Sequence, residues 1–111
     1  MEVHVNQDLL ARALQLVQNV VEPRQTLPIL ANVLLQAEDK VLTVSATDLE
    51  VAVKTTVPAV VDAPGSITLN ARKFHEIVRE LPADTLRLRV QENSWVFLSC
   101  GGASYKVVGL P

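Results

Sequence analysis

The sequence has little of several residue types, and each shortage excludes a class of protein. It contains one cysteine, Cys100, so no disulfide can form within the chain and a reducing compartment is indicated. Aromatic residues make up only 4% of the chain, which is few for a surface that stacks nucleic-acid bases. Basic residues are not in surplus either. The formal net charge of −2 disfavours a strongly basic nucleic-acid module that acts on its own.

Long apolar runs are also missing. No stretch approaches the ~20 apolar residues that a membrane-spanning helix needs. The first residues, Met1–Val5, alternate in polarity and carry no basic leader, so no secretory signal is expected. These absences predict a cytoplasmic protein without membrane contact. The length of 111 residues and the hydrophobic share of 49% match one ordinary folded domain.

Groups suited to catalysis or metal binding are sparse. His4, His75 and Cys100 show no metal-ligand spacing, so the sequence predicts neither a metal nor a cofactor. We expect His75 at the surface or half-buried, and Cys100 as a small buried hydrophobe. Asp48 and Glu50 are spaced by two on a predicted strand and could form an acid–base pair. The solvent face of a half-buried strand explains these two carboxylates equally well, and we prefer that interpretation.

The chain does contain a doubled pattern. Val3 and Val5 alternate as in a strand, and Asn6 is a good N-cap for a helix from Gln7 to about Val20. The apolar stripe of that helix comprises Leu10, Ala13, Leu14 and Val17, widened by Leu9, Leu16 and Val20. Strands are predicted over 32–37, 41–46 and 49–57. Pro58 and the pair Pro64-Gly65 predict a connector over 58–65.

The second half repeats the first. Ile67–Asn70 resembles Val3–Asn6, and a helix stripe follows before Pro82 ends it. Three strands come next, joined by hairpin turns at Glu92-Asn93 and Gly101-Gly102. The predicted fold is therefore α+β: a duplicated βαβββ unit, with repeats at 1–57 and 66–111, whose two helices pack on antiparallel sheets. We expect each half to pack its helix on its own sheet, and the halves to be related by an approximate two-fold.

Three cations suggest an anionic partner. Arg24 lies in a loop bracketed by Pro23 and Pro28, and an arginine on a rigid loop can bind phosphate. Arg72 and Lys73 fall in the first turn of the second helix, where the helix dipole disfavours positive charge. For Arg24 the sequence alone favours a solvated loop position, and solvent could equally well screen Arg72 and Lys73.

Four segments resemble the bacterial beta sliding clamp family. The stretch Thr26–Leu35 is similar to the family's TLPIL-x-N-x-LL segment. Thr47–Glu50 resembles its TDLE strand entry, and Ala71–Phe74 its ARKF helix start. The closing Gly109–Pro111 resembles the point where the family's first domain runs into its second. The segments occur in the family's order and spacing, and the similarity covers the whole chain.

The resemblance implies a non-catalytic processivity subunit of DNA polymerase III. Members of this family carry three such domains and dimerise head to tail into a ring, with helices lining the hole and sheets forming the outer wall. The ring encircles duplex DNA without regard to sequence and tethers the replicative polymerase. In this family the pocket for partner peptides lies between the second and third domains. The polymerase and the clamp loader are therefore expected as partners of the full-length protein, and residues 1–111 as its single first domain.

Residue roles carry over at few positions. The resemblance places Arg24 on the DNA-facing loop, and Arg12, Arg72 and Arg79 are further candidate phosphate contacts on the inner face. It places Lys73, Tyr105 and Val107 on the first domain's side of the head-to-tail interface. Family members carry arginines where Gly102 and Ser104 stand here, so the apolar pair Tyr105 and Val107 is the stronger expectation. The alternatives are a β-rich interaction module without a DNA role, and an enzyme that uses Asp48 and Glu50.

Overall fold

The computed structural model describes residues 1–21, 31–48 and 50–111. Two helices and eight strands alternate along these ranges in the order β1, α1, β2, β3, β4, β5, α2, β6, β7, β8. The helices are α1 (Gln7–Gln18) and α2 (Ala71–Glu80). The strands are β1 (Glu2–Asn6), β2 (Asn32–Glu38), β3 (Val41–Thr47), β4 (Ala52–Ala63), β5 (Gly65–Asn70), β6 (Thr85–Val90), β7 (Trp95–Cys100) and β8 (Ala103–Val108). The predicted duplicated βαβββ order and α+β class are confirmed.

Both helices begin as the sequence predicts. The side chain of Asn6 accepts a hydrogen bond from the N–H of Leu9 at 3.0 Å, and that of Asn70 accepts from Lys73 at 2.9 Å. The α1 stripe from Leu10 to Val17 is buried. Leu9 and Leu16 do not widen that stripe, because they lie exposed beside the buried positions. None of the described helices is long and apolar enough to cross a membrane.

The strands form one antiparallel sheet with the order β5-β2-β3-β4-β1-β6-β7-β8. The first four strands in this order occupy the same places in the repeat as the last four, so the strand order is itself duplicated. The expectation that each half packs on its own sheet is wrong, because the halves exchange their first strands. β5 pairs with β2 of the first half, whereas β1 pairs with β6 of the second half.

A single long strand joins the two four-stranded groups. β4 pairs with β3 through residues 52–58 and with β1 through residues 59–63. The predicted connector over 58–65 is therefore wrong, since Pro58–Ala63 continue the strand. Pro58 is tolerated there because it stands where β4 leaves one partner for the next, and the N–H of Ala59 resumes pairing by donating to the Lys40 carbonyl at 2.9 Å.

The two helices lie against each other on the inner face of the sheet. The amide of Gln7 at the start of α1 donates to the carbonyl of Val78 near the end of α2 at 2.7 Å. Gln18 at the end of α1 lines a cavity of about 240 Å³ with Ala71 and Arg72 at the start of α2. The helices consequently run antiparallel, and their outward sides form one surface opposite the sheet.

Candidate nucleic-acid and subunit interfaces

The outward surface of the two helices carries three of the predicted phosphate-binding arginines. The side chains of Arg12 on α1 and Arg72 on α2 are 75% and 77% exposed. Arg79 near the end of α2 is also exposed. Because both helices bury their opposite sides in the core, the fold places these three guanidinium groups on the same helical layer. Arg24 lies outside the described residues.

Each of these arginines has a carboxylate close by. Arg12 pairs with Asp8 at 3.0 Å, and the nearest N–O distances are 3.4 Å from Arg72 to Glu76 and 3.7 Å from Arg79 to Glu80. Exposed ion pairs of this kind contribute only about 0–1 kcal/mol. A phosphate group can therefore replace the carboxylate at little cost. Such a surface suits weak contacts that do not depend on base sequence.

The three predicted interface residues lie at one end of the sheet. Lys73 and Val107 line the same small depression, of about 40 Å³, with Leu69, Asn70, Phe74 and Val108. Tyr105 is 43% exposed, and it lies two residues from Val107 on the same face of β8. In the described part of the sheet β8 is an end strand, so one of its edges has no partner strand. The structure therefore brings an unpaired edge and two apolar side chains together.

The carboxylates Asp48 and Glu50 do not form an acid–base pair on a strand face. They lie in the turn between β3 and β4, where the Asp48 carboxylate accepts hydrogen bonds from the N–H groups of Glu50 at 2.9 Å and Val51 at 2.7 Å. These bonds, that from Val51 first, hold the pKa of Asp48 below its ordinary value. Asp48 is thus a turn-forming residue. The strand expected from residue 49 begins at Ala52, and Leu49 is outside the described residues.

Two other candidate reactive groups, His75 and Cys100, are enclosed in the fold. His75 is buried, contrary to the expected surface or half-buried position, and burial followed by the charge of Arg79 lowers its pKa. Cys100 is buried as predicted, its thiol donates to the Pro82 carbonyl at 3.3 Å, and burial raises its pKa. Within residues 1–21, 31–48 and 50–111, no cluster of His, Cys, Asp and Glu could hold a metal ion.

One group of neighbouring side chains was not predicted from the sequence. On the outer face of the sheet, Arg89, Phe97 and Lys106 occupy directly paired positions on β6, β7 and β8. The lysine also lies over the Trp95 ring. Each residue looked like an ordinary solvent-facing strand position. Aligning the strands through the turns at Glu92-Asn93 and Gly101-Gly102 would have shown that they are neighbours.

Residues 1–111 match the family model for the DNA polymerase III beta subunit, N-terminal domain. The beta sliding clamp of Pseudomonas aeruginosa is 41% identical over 114 aligned residues, which cover 100% of this chain and 30% of the relative. That of Caulobacter vibrioides is 46% identical over 74% of this chain. The chain therefore spans about 30% of the length of full-size relatives.

Solved structures show the same likeness in three dimensions. The DNA polymerase sliding clamp from Caulobacter crescentus matches with a TM-score of 0.94 and 37% identity, over 100% of this chain and 30% of that one. The clamp from Bacillus subtilis matches with a TM-score of 0.95 and 30% identity over 99% of this chain and 31% of that one. The two helices and the eight-stranded sheet therefore belong to an architecture that the chain shares with these proteins.

Proposed function

Because the chain belongs to the family of DNA polymerase III beta subunit N-terminal domains, we propose that it forms the first domain of a sliding clamp. In the assembled ring it encircles duplex DNA and keeps the replicative polymerase on its template. The observation that supports this function best is the match of the whole chain to 30% of a solved sliding clamp, with 37% identity and a TM-score of 0.94. The likeness to named clamps favours this function over an interaction module without a DNA role.

The proposed mechanism is topological and involves no catalysis. A closed ring cannot leave a duplex sideways, so its inner surface needs only weak, sequence-independent phosphate contacts. The helical surface with Arg12, Arg72 and Arg79 is suited to that task, because its ion pairs are exposed and exchangeable. Arg24 is assigned to the same face by its match to the family's loop arginine. We place this activity at replicating DNA in the bacterial cytoplasm.

Ring closure is assigned to the β8 edge. An unpaired strand edge offers backbone N–H and C=O groups to a strand of another subunit, and apolar side chains beside it stabilise the contact. Tyr105 and Val107 provide the apolar part, and Lys73 provides a cation beside the shared depression. Gly102 and Ser104 contribute no charge to this edge. The polymerase and the clamp loader are proposed to bind the full-length protein through its other domains.

A domain exchange tests the proposal. This chain would replace the corresponding first domain of the Pseudomonas aeruginosa beta sliding clamp, to which it is 41% identical. The chimera would be loaded by that organism's clamp loader onto circular duplex DNA. We expect it to stay on circular DNA through gel filtration, to leave after the DNA is linearised, and to support long primer extension by the replicative polymerase.

The control is the same chimera carrying Lys54→Ala on β4, which lies away from the helical surface and from β8. It should behave like the unmodified chimera. A folded, dimeric chimera that is released equally fast from circular and linear DNA would contradict the proposed function.

A further inference from the structure

The outer face of the sheet carries an unusual group of side chains on β6, β7 and β8. Along these strands buried residues such as Leu88, Val96 and Leu98 point into the core. The alternate positions point outward. The outer patch is defined here as the outward-facing residues Arg89, Trp95, Phe97, Lys106 and Val108.

Sheet register brings two cations to one aromatic ring. Arg89 pairs with Phe97, and Phe97 pairs with Lys106, so the three form a row across adjacent strands. The Arg89 guanidinium carbon lies 5.5 Å and the Lys106 ammonium 5.4 Å from the centre of the Phe97 ring. The same ammonium lies 4.5 Å from the Trp95 ring, which is within the range of a cation–π contact.

These two cations differ from their neighbours in forming no ion pair among the described residues. On the adjoining part of the same face, Arg87 pairs with Glu2, and His4 lies 2.9 Å from the Asp62 carboxylate. Glu2 is the cross-strand neighbour of Arg89, but its carboxylate bonds to Arg87. Arg89 and Lys106 instead lie over aromatic rings. Two like charges held around one ring repel each other, and an anion that contacts both would relieve that repulsion.

The fold itself does not require this arrangement. The corresponding outer face of β2, β3 and β4 carries mainly uncharged groups, among them Gln36, Thr43, Ser45 and Thr56. Both faces belong to the same duplicated architecture, and only one combines unpaired cations with aromatic rings. The patch is therefore a property of these particular residues rather than of the sheet.

The geometry distinguishes between anionic partners. The faces of Phe97 and Trp95 are already in contact with cations, so a nucleic-acid base would have to displace them in order to stack. The net charge of −2 also opposes a densely charged polyanion. Val108, which is 60% exposed and pairs with Trp95, adds an apolar contact. Separated carboxylates with apolar side chains between them suit this surface best.

We propose that the outer patch binds an acidic peptide segment of a partner protein. Carboxylates of the peptide pair with Arg89 and Lys106, and an apolar side chain rests on Val108, beside Trp95. Val108 also borders the depression beside Lys73, but the two cations of the patch lie on the other face of the sheet from the proposed subunit interface. Lys106 lies between Tyr105 and Val107 on β8 but on the opposite face, so the patch stays open when the β8 edge is occupied.

Trp95 is the only tryptophan of the chain, which gives a direct readout of the site. The 111-residue chain would be titrated, with Trp95 fluorescence as the signal, against a short synthetic peptide in which Glu alternates with Leu. The same peptide with Gln in place of Glu, and oligothymidylate as single-stranded DNA, serve as comparison ligands. We expect saturable binding of the Glu peptide that weakens with salt, and weaker binding of both comparison ligands.

Substitutions locate the binding. Arg89→Gln and Lys106→Gln should each lower the affinity for the Glu peptide by up to roughly fivefold, the upper range for an exposed ion pair. Lys54→Gln, on the outer face of the other strand group, should leave the affinity unchanged. No binding of the Glu peptide, equal binding of the Gln peptide, tighter binding of oligothymidylate, or an equal loss in Lys54→Gln would each overturn the proposal. Because no ring or duplex is involved, these outcomes are independent of the proposed clamp function.

Discussion

The side-chain amide of Gln7 donates a hydrogen bond to the backbone carbonyl of Val78 across 2.7 Å, joining the start of α1 to the last turns of α2. In an uninterrupted helix this carbonyl would accept from the residue four positions later, which here is Pro82 and has no N–H. The N–H of Leu81 approaches the same oxygen at 3.2 Å. Buried Gln7 therefore supplies the donor that the helix-ending proline removes.

Replacing Gln7 with Ala should lower the free energy of unfolding by about 1 kcal/mol, the usual net contribution of a hydrogen bond, because the Val78 carbonyl keeps the N–H of Leu81. The matched control is Gln15→Ala, an exposed position on the same helix, which should change stability by no more than about 0.5 kcal/mol. Urea denaturation followed by circular dichroism measures both. Equal effects of the two substitutions would show that the interhelical bond contributes nothing.

Stability should decrease as the pH falls below the ordinary His75 pKa of 6.5. Burial lowers the pKa of His75 in the folded chain, so between 6.5 and that lowered value the unfolded state binds more protons. The contribution of neutral His75 to the free energy of unfolding is fully present above pH 6.5 and is lost as the pH falls through the pKa of His75 in the folded chain. His75→Gln should show a flatter pH dependence of the urea midpoint in this window. An unchanged slope would contradict the assignment.

The isolated chain should bind duplex DNA only weakly, with a Kd on the order of 10⁻⁴ M or higher at physiological salt, because it cannot close a ring. Arg24→Ala and Arg12→Ala should each lower affinity equally for unrelated duplexes and reduce the salt slope by about one contact. Lys54→Ala is the control on the opposite side of the molecule. Fluorescence anisotropy at low and moderate salt measures all four proteins. Tight, sequence-selective binding, or no effect of Arg24→Ala at low salt, would oppose the predicted role.

The β8 edge should form a contact between subunits only when the other domains of the clamp are present. Alone, the chain should sediment as a monomer. In the chimera with the Pseudomonas aeruginosa clamp, Val107→Asp should shift the ring towards single subunits, because it buries a charge in an apolar contact. Val60→Ser, at an exposed valine on the outer face of β4, should leave the ring intact. Rings that withstand Val107→Asp would place the contact elsewhere.

The chain should unfold in one cooperative transition, because the exchanged strands make each four-stranded group depend on both halves. Heat and urea unfolding, each followed by circular dichroism and Trp95 fluorescence, should give coincident curves. The tryptophan reports the second half, whereas circular dichroism reports the whole chain. Two separated transitions would show that the halves fold independently.

Local signals predicted most of the elements. The N-caps Asn6 and Asn70, the buried stripe of α1 and the hairpin turn at Gly101-Gly102 all depend on contacts within a few residues, which the sequence displays directly. The exchange of β1 and β5 depends on partners that are distant in sequence. The alternation of apolar and polar residues identifies which face of a strand is buried, but it does not identify the strand that pairs with it.

The errors at single positions have the same origin. Pro58 normally interrupts a strand, and here it lies where β4 changes partners. Leu9 and Leu16 have helical spacing, yet they lie just outside the side of α1 that packs on the core. The proximity of Arg89, Phe97 and Lys106 required the register of three strands, whereas Lys73 and Val107 were paired by family likeness alone. Sequence patterns predicted whether each element is a helix or a strand. Which side chains lie together on the sheet surface depends on contacts between elements that are distant in sequence.

The strand exchange has a consequence for the order in which a growing chain acquires its structure. Once residue 70 has left the ribosome, β5, β2, β3 and β4 are all available, and α1 can already cover them. At that stage β1 pairs with β4 along one edge, but its other edge stays open until residues 85–89 of β6 emerge. The first strand to be synthesised is thus among the last to be enclosed. A ribosome that stalls between β5 and β6 would present that bare edge to any other nascent chain.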